Sequence, residues 1–240
     1  MSRSLLQSGV KLMKVLVACE ESQAVCKAFR ERGHKAYSCD LLPCRFTDKP
    51  EWHIMCDVFE IIDGYTNFYT MDGEIHDEVA AGVWDLIIAH PPCTFLTCTG
   101  NRWFKEEYGM KASIRKESRK AAIEFFMAFT KVNCKAMAIE NPVGCMSTQY
   151  RKPDQIIQPY HFGDPYRKTT CLWLKNLPPL MPTDIIVGNI VSWVSGGSKD
   201  SKGNNRKNCG MTFRDSKTRS KTFEGIASAM AEQWGSDLQV

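Results

Sequence analysis

Two short stretches of this 240-residue chain set reactive side chains against prolines. Residues 84–93 read WDLIIAHPPC, and residues 135–142 read KAMAIENP. In each, a run of strand formers is cut off by proline, which cannot donate to a ladder and fixes the backbone that follows. The first stretch presents Cys93 three residues beyond His90; the second presents Glu140 beside Asn141. A thiolate can add to an electron-poor ring carbon while a carboxyl group supports the adjacent ring nitrogen. Cys93 and Glu140 are therefore candidates for acid-assisted covalent catalysis. The sequence does not assign a base to Cys93, and His90 is free to point elsewhere. A buried inert thiol is the competing reading. The double proline in front of Cys93 favours function.

The elements around these stretches decide where they meet. KVLVA (14–18) reads as a buried strand. ESQAVCKAFRERG follows as a helix with Ala24, Val25, Ala28 and Phe29 on one face, stopped by Gly33. HKAYSCD reads as a second strand ending in Asp40. This β-α-β opening predicts parallel strands with a right-handed crossover. Residues 41–82 read as loops, with a turn at Cys56-Asp57-Val58 and a weak helix near His76 to Ala81. After the strand at 84–89, Ser113 is expected to cap a helix running to Val132. Its apolar positions are Ile114, Ala121, Ala122, Phe125, Phe126, Phe129 and Val132. Residues 154–160 and 169–174 are expected to form an antiparallel pair. TFEGIASAMAEQW is expected to be a last helix stopped by Gly235. The pattern predicts a mostly parallel, three-layer α/β/α sheet. Its parallel strands would bring Cys19-Glu20-Glu21-Ser22, Asp40, His90 to Cys93 and Glu140-Asn141-Pro142 to one edge, where ligands of such sheets bind.

That edge has a cofactor signature with one part missing. Asp40 stands where an acidic residue after the second strand accepts hydrogen bonds from a ribose. The first turn, ACEESQA, contains no glycine. It lacks the glycine-rich fingerprint that lets a backbone approach a pyrophosphate, which counts against a dinucleotide. A nucleoside ligand without phosphates, such as S-adenosylmethionine, makes no such demand.

Charge is uneven. Between Gly196 and Lys221 eight basic residues face two acidic ones, a net +6, which leaves −2 on the remainder of a chain whose total is +4. Asn101 to Lys120 holds seven basic residues against three acidic ones. Localised positive charge points to a polyanionic partner, with a solvated lysine-rich surface as the alternative. Eleven cysteines, an odd number without CxxC spacing, fit free thiols in a reducing cytoplasm better than a disulfide scaffold or a zinc site built on Cys39, Cys44, His53 and Cys56. No metal is expected. No apolar run is long enough to span a bilayer, and no signal peptide is expected. Residues 1–12 are expected to be a tail, with Met13 as an alternative start.

With these residues in view, the chain resembles the DNA cytosine methyltransferases that act at carbon 5, most closely short phage- and prophage-borne ones. WDLIIAHPPCTFLT resembles their Pro-Pro-Cys motif and AIENPVG their Glu-Asn motif. FGDPYRKTTCLWL resembles their Tyr-Gly-Val-Pro-Gln-x-Arg-x-Arg segment, and RSKTFEGIASAMAEQW their closing motif and last helix. The resemblance covers most of the chain, in order. It implies a Rossmann-like S-adenosylmethionine-dependent methyltransferase fold: a catalytic core over 13–177, a short basic target-recognition-like segment over 178–214, and a helix over 215–240 returning to the core. It implies a catalytic set of Cys93, Glu140, Asn141 and Lys168. Cofactor contacts would come from Cys19, Glu20, Asp40, Leu41, Asp57, Val58 and Pro91. DNA, double- or single-stranded, would meet Arg102, Lys105, Arg167, Lys199, Lys202, Arg206, Lys207 and Arg214. The loop from Asn101 to Lys116 would be the one that closes over DNA, with the target base flipped out of the stack.

The departures are specific. The second arginine of the family segment falls on Thr170 and the first on Lys168. The glycines of the first motif are absent, and the Glu-Asn motif continues with Pro142 rather than Val. Other readings stay open: an amino-methyltransferase, although His90 and Cys93 flank the Pro-Pro unlike the residues of that class; a methyltransferase acting on RNA or a modified base; and a non-catalytic nucleic-acid-binding module descended from an enzyme.

Overall fold

The computed structural model describes residues 12–45, 49–62, 68–75, 84–190 and 220–236. The expected helix near 76–81, most of the tail, and the basic stretch up to Arg219 lie outside the described residues. Seven strands form one sheet: β1 Lys14–Ala18, β2 Lys35–Asp40, β3 His53–Met55, β4 Leu86–Ala89, β5 Ala136–Pro142, β6 Gln155–Ile157 and β7 Thr170–Lys175. Their order is β3-β2-β1-β4-β5-β7-β6. The first five are parallel, and β7 runs antiparallel to both β5 and β6. The β3-β2-β1-β4-β5 arrangement is compatible with a Rossmann-like sheet, in which the chain reverses direction across the sheet between β1 and β4.

The central strands are buried on both faces, so they read as continuous apolar runs rather than alternating ones. On one face Val15, Val17, Leu86, Ile88, Ala138 and Leu172 pack beneath α1 (Ala24–Glu31) and α5 (Glu224–Ser236). On the other, Leu16, Ile87, Met137, Ile139 and Trp173 pack beneath α2 (Val58–Ile62) and α3 (Met110–Thr130). A four-residue helix, α4 (Met146–Gln149), follows β5. The layers are thus α/β/α, as the sequence pattern predicts.

Four local expectations need correction. Residues 41–62 hold more than loops: β3 adds an edge strand beside β2, and α2 starts where Asp57 Oδ1 accepts from the Phe59 N–H at 3.0 Å. A three-residue strand carries no alternation long enough to read. Ser113 does not cap α3. The helix begins three residues earlier, at Met110, because Gly109 with φ +50 breaks the preceding 3-10 turn. Ile114, 60 % exposed, and Ala121 lie off the core, because the first half of α3 leans on the loop after β4 instead of on the sheet. Gly235 does not stop α5 but lies inside it, buried, where a Cβ would come within 2.6 Å of His34 Nε2. Close approach of α5 to the end of α1, not a turn, is what requires glycine there.

Beyond 177 the chain stays on the core: Leu180 is buried, and Gln155 bonds the Leu180 backbone in both directions at 2.7 Å. Among the described residues no helix is long and apolar enough to cross a membrane.

Candidate active site

The carboxyl ends of β1, β2, β4 and β5 lie side by side and collect the polar residues named from the sequence. His90 begins the turn after β4, its N–H donating to Ala18 O at 2.9 Å. Cys93 O then accepts from the N–H groups of Leu96 and Thr97 at 3.0 and 2.9 Å, closing a tight turn with the thiol partly exposed. Two clamps fix this turn from outside. Asn141, buried at the end of β5, donates its Nδ2 to Pro91 O at 2.7 Å. The loop after Pro142 presses on Leu96: Cys145 N–H donates to Leu96 O at 2.9 Å, and a Cβ on Gly144 would sit 2.1 Å from that oxygen.

Glu140 lies in the same register. Its Oε2 is 3.1 Å from His90 Nδ1, with side chains only 16 % and 10 % exposed. Burial pushes the Glu140 carboxyl up, but the hydrogen bond and charge of His90 and the Lys168 ammonium outweigh it, so its pKa lies below the ordinary carboxylate value. The Cys93 thiol is pushed up, first by burial and then by the Glu140 charge, with Lys168 pulling the other way. The imidazole of His90 is thus spent on Glu140, and Lys168 is the cation that favours a thiolate. Lys168 Nζ stands 5.8 Å from the ring of Phe223, just before α5, and the Lys168 backbone N–H donates to Gln158 Oε1 at 3.1 Å. Thr170 is buried, and its hydroxyl donates to Lys168 O at 3.2 Å. Arg167 is exposed.

On the β1–β2 side, Cys19 adopts φ +59 and faces Asp40 and Asp57, whose charges add to burial in pushing its thiol up. Asp40 Oδ1 accepts from the Leu42 N–H at 2.9 Å, and burial raises its pKa. Leu41 is 72 % exposed at the rim. Asp57 is exposed, whereas Val58 turns into the core, which leaves only its backbone for a ligand. Pro91 is buried in the turn before Cys93. Glu20 does something the sequence reading did not foresee. Its buried carboxylate accepts from the Val25 and Cys26 N–H groups at 2.7 and 3.2 Å and from the Ser22 hydroxyl at 3.3 Å. It caps α1, since Gln23 at the N-cap makes no side-chain cap bond. The helix N-terminus that would otherwise receive a phosphate is filled from within.

The basic cluster at 101–120 divides. Arg119 donates its Nε to Phe95 O at 2.7 Å and lies 3.7 Å over the Phe104 ring. Arg115 donates to Thr94 O at 3.2 Å. Both are tied to the Cys93 turn and stiffen it. Arg102, over Trp103 at 4.4 Å, and Lys105 remain exposed. Within the expected mobile loop, residues 98–104 and 106–108 are 3-10 turns and 110–116 are helix. Lys199, Lys202, Arg206, Lys207 and Arg214 lie outside the described residues. Of the residues weighed for zinc, His53 spends both ring nitrogens on protein, on Ser38 Oγ and Leu42 O at 2.8 Å each, while Cys39 and Cys56 lie 3.8 Å apart, sulfur to sulfur.

No protein-family model matches the chain, and no curated protein matches it.

Proposed function

We propose that the chain transfers a methyl group from S-adenosylmethionine to carbon 5 of cytosine in DNA, through a transient bond between Cys93 and carbon 6. The fold would then be that of the Rossmann-like S-adenosylmethionine-dependent methyltransferases. The observation that carries the reading is the convergence of Cys93, Glu140 and Lys168 at the carboxyl edge of the sheet. A nucleophile, an acid and a cation meet there on three different elements.

The edge beside β1 and β2 would suit a nucleoside without phosphates. Glu20 occupies the anion seat at the α1 N-terminus, which excludes a pyrophosphate there. Asp40 would accept from ribose hydroxyls and Asp57 from an adenine amine, with Cys19, Leu41 and Pro91 as walls. Bound S-adenosylmethionine supplies the methyl group. Glu20 itself belongs to the helix cap, its carboxyl oxygens being taken by the Val25 and Cys26 N–H groups and the Ser22 hydroxyl.

The Cys93 thiol gives its proton to the ionised Glu140 carboxylate and forms its bond to carbon 6 as a thiolate. The carbon 5–carbon 6 electron pair shifts toward carbon 4, and nitrogen 3 takes the proton presented by Glu140. Lys168 stabilises the thiolate beforehand and stands in for the family arginine that Thr170 lacks. After methylation, the carbon 5 proton passes to water as the ring expels Cys93, and the proton on nitrogen 3 returns to the carboxylate. Asn141 keeps the Cys93 turn in place through Pro91. Arg102, Lys105 and Arg167 supply phosphate contacts, which fix register without reading sequence. Reaching the ring requires a flipped or unpaired cytosine.

Burial of Thr170 favours one second reading, a nucleic-acid-binding descendant with impaired chemistry. The test is methyl transfer from labelled S-adenosylmethionine to double- and single-stranded DNA, followed by digestion to nucleosides. Label in 5-methylcytosine, absent with Cys93→Ser, supports the enzyme. Cofactor and DNA binding without label supports the descendant.

A further inference from the structure

We propose that Cys39 and Cys56 form a dithiol that a hydroperoxide closes to a disulfide, and that closure weakens S-adenosylmethionine binding by displacing Asp57. Formation of the bridge is independent of the reaction proposed above. Its effect on the cofactor rests on that reading.

The two sulfurs lie 3.8 Å apart, and the Cys39 thiol is 3.6 Å from Cys56 O. A disulfide bond is about 2.05 Å long, so the sulfurs must close by about 1.8 Å. The two ends of that move are held unequally. Cys39 sits inside β2, between Ala18 of β1 and Ile54 of β3, and its carbonyl accepts from the Glu20 N–H at 3.2 Å. Cys56 comes after Met55, the last residue of β3, and so stands outside the ladder. The displacement therefore falls on Cys56 and on Asp57 beside it. Asp40, next to Cys39, stays with β2. Each thiol thus adjoins one of the two carboxylates read as cofactor contacts, and closure moves one against the other. Among the described residues no group of three or more His, Cys, Asp or Glu side chains could hold a metal ion, so the pair is not part of a metal cluster.

The pair is also chemically unequal. Cys39 is fully buried, whereas Cys56 is partly exposed. The hydrogen bond from Cys39 stabilises the Cys56 thiolate and holds that thiol below its ordinary value, while the same bond and then burial push Cys39 up. Cys56 is thus the thiol that meets the peroxide, and Cys39 the one that resolves the product. The Cys56 sulfur bonds to one peroxide oxygen, the O–O bond breaks, and the second oxygen leaves as water with the thiol proton. The Cys39 sulfur then bonds to the sulfenic sulfur, the S–O bond breaks, and the hydroxyl leaves as water with the Cys39 proton. Two thiols lose two electrons, and one hydroperoxide is reduced. A dithiol reductant reopens the bridge by exchange.

The test uses the reduced full chain, treated with hydrogen peroxide and then alkylated. A peptide map without reductant should show Cys39 joined to Cys56. The Kd of S-adenosylmethionine should rise about tenfold, the scale of one charge-assisted hydrogen bond, and dithiothreitol should restore it. Cys56→Ser should form no bridge and keep its Kd through the same treatment, which separates this pair from oxidation of Cys19 or Cys93. Cys39→Ala should instead accumulate a sulfenic acid at Cys56 that dimedone captures. A map in which Cys39 stays free, or joins Cys19, overturns the pair. A Cys39–Cys56 bridge with an unchanged Kd overturns the displacement of Asp57. A reduced wild type that binds no S-adenosylmethionine overturns the reading of the edge and with it the coupling, while the peptide map still decides the bridge.

Discussion

Asn141 donates its side-chain amide to the carbonyl of Pro91 at 2.7 Å, joining the end of β5 to the turn that carries Cys93. The two strand ends that the prolines close are thereby one unit. Asn141→Ala leaves a buried carbonyl unpaired, which costs about 1–3 kcal/mol. Urea unfolding should register that loss. The methyl-transfer rate should fall further than S-adenosylmethionine affinity, because the turn moves and the cofactor edge does not.

Gly144 seals the same turn from the other side. Gly144→Ala would drive a Cβ to within 2.1 Å of Leu96 O, a backbone atom that cannot rotate away. Overpacking of this kind costs about 1–3 kcal/mol. Thermal melting should show a clear drop for Gly144→Ala. Gly100→Ala meets the movable end of Arg115 and should cost less.

The basic residues near Cys93 separate by experiment. Arg102→Ala and Lys105→Ala should each lower the slope of log affinity against log salt for DNA by about one. Arg119→Ala should leave that slope intact while slowing methyl transfer, since its guanidinium is spent on Phe95 O and Asn101 Oδ1. Salt-dependent binding isotherms distinguish the two classes.

Glu20 N–H donates to Cys39 O at 3.2 Å, one residue before Asp40, yet the roles proposed for Glu20 and Asp40 differ. Glu20→Ala removes the α1 cap and should cost about 0.5–2 kcal/mol of stability. Asp40→Ala should leave melting nearly unchanged and weaken S-adenosylmethionine binding about tenfold, one charge-assisted hydrogen bond in scale. Calorimetry on both variants separates fold from pocket.

Glu140 also sets a pH dependence. Its carboxyl is held low, so its ionised form stabilises the fold. That contribution is complete above the ordinary carboxyl value of about 4.3 and is lost as pH falls through the lower folded value. Between about pH 5 and pH 3, below the imidazole range, wild type should lose more unfolding free energy than Glu140→Gln.

The sheet and the edge were legible in the sequence because both rest on long-range regularities. Apolar runs such as LIIA and AMAI mark buried parallel strands, and proline marks their ends. Short-range features were not legible. The three residues of β3 are extended only through pairing with β2. Gly109 rather than Ser113 starts α3, because a positive φ interrupts the chain there. Gly235 looked like a stop and is a contact with His34. Charge misled most: Arg115 and Arg119 count as surface cations in the sequence, yet each turns inward to a carbonyl after β4. Glu20 and His90 could not be placed either, since a buried carboxylate on a helix end and an imidazole on Glu140 depend on distances between separate strands.

The most direct test of the central claim is covalent trapping. The protein would be mixed with S-adenosylmethionine and DNA carrying 5-fluorocytosine, then run on a denaturing gel beside Cys93→Ala. Fluorine cannot leave carbon 5 as a proton does, so the Cys93 bond cannot be released. The account predicts a retarded protein–DNA band that requires the cofactor and vanishes in Cys93→Ala. No such band with single- and double-stranded DNA of varied sequence, from protein that binds both cofactor and DNA, would contradict it.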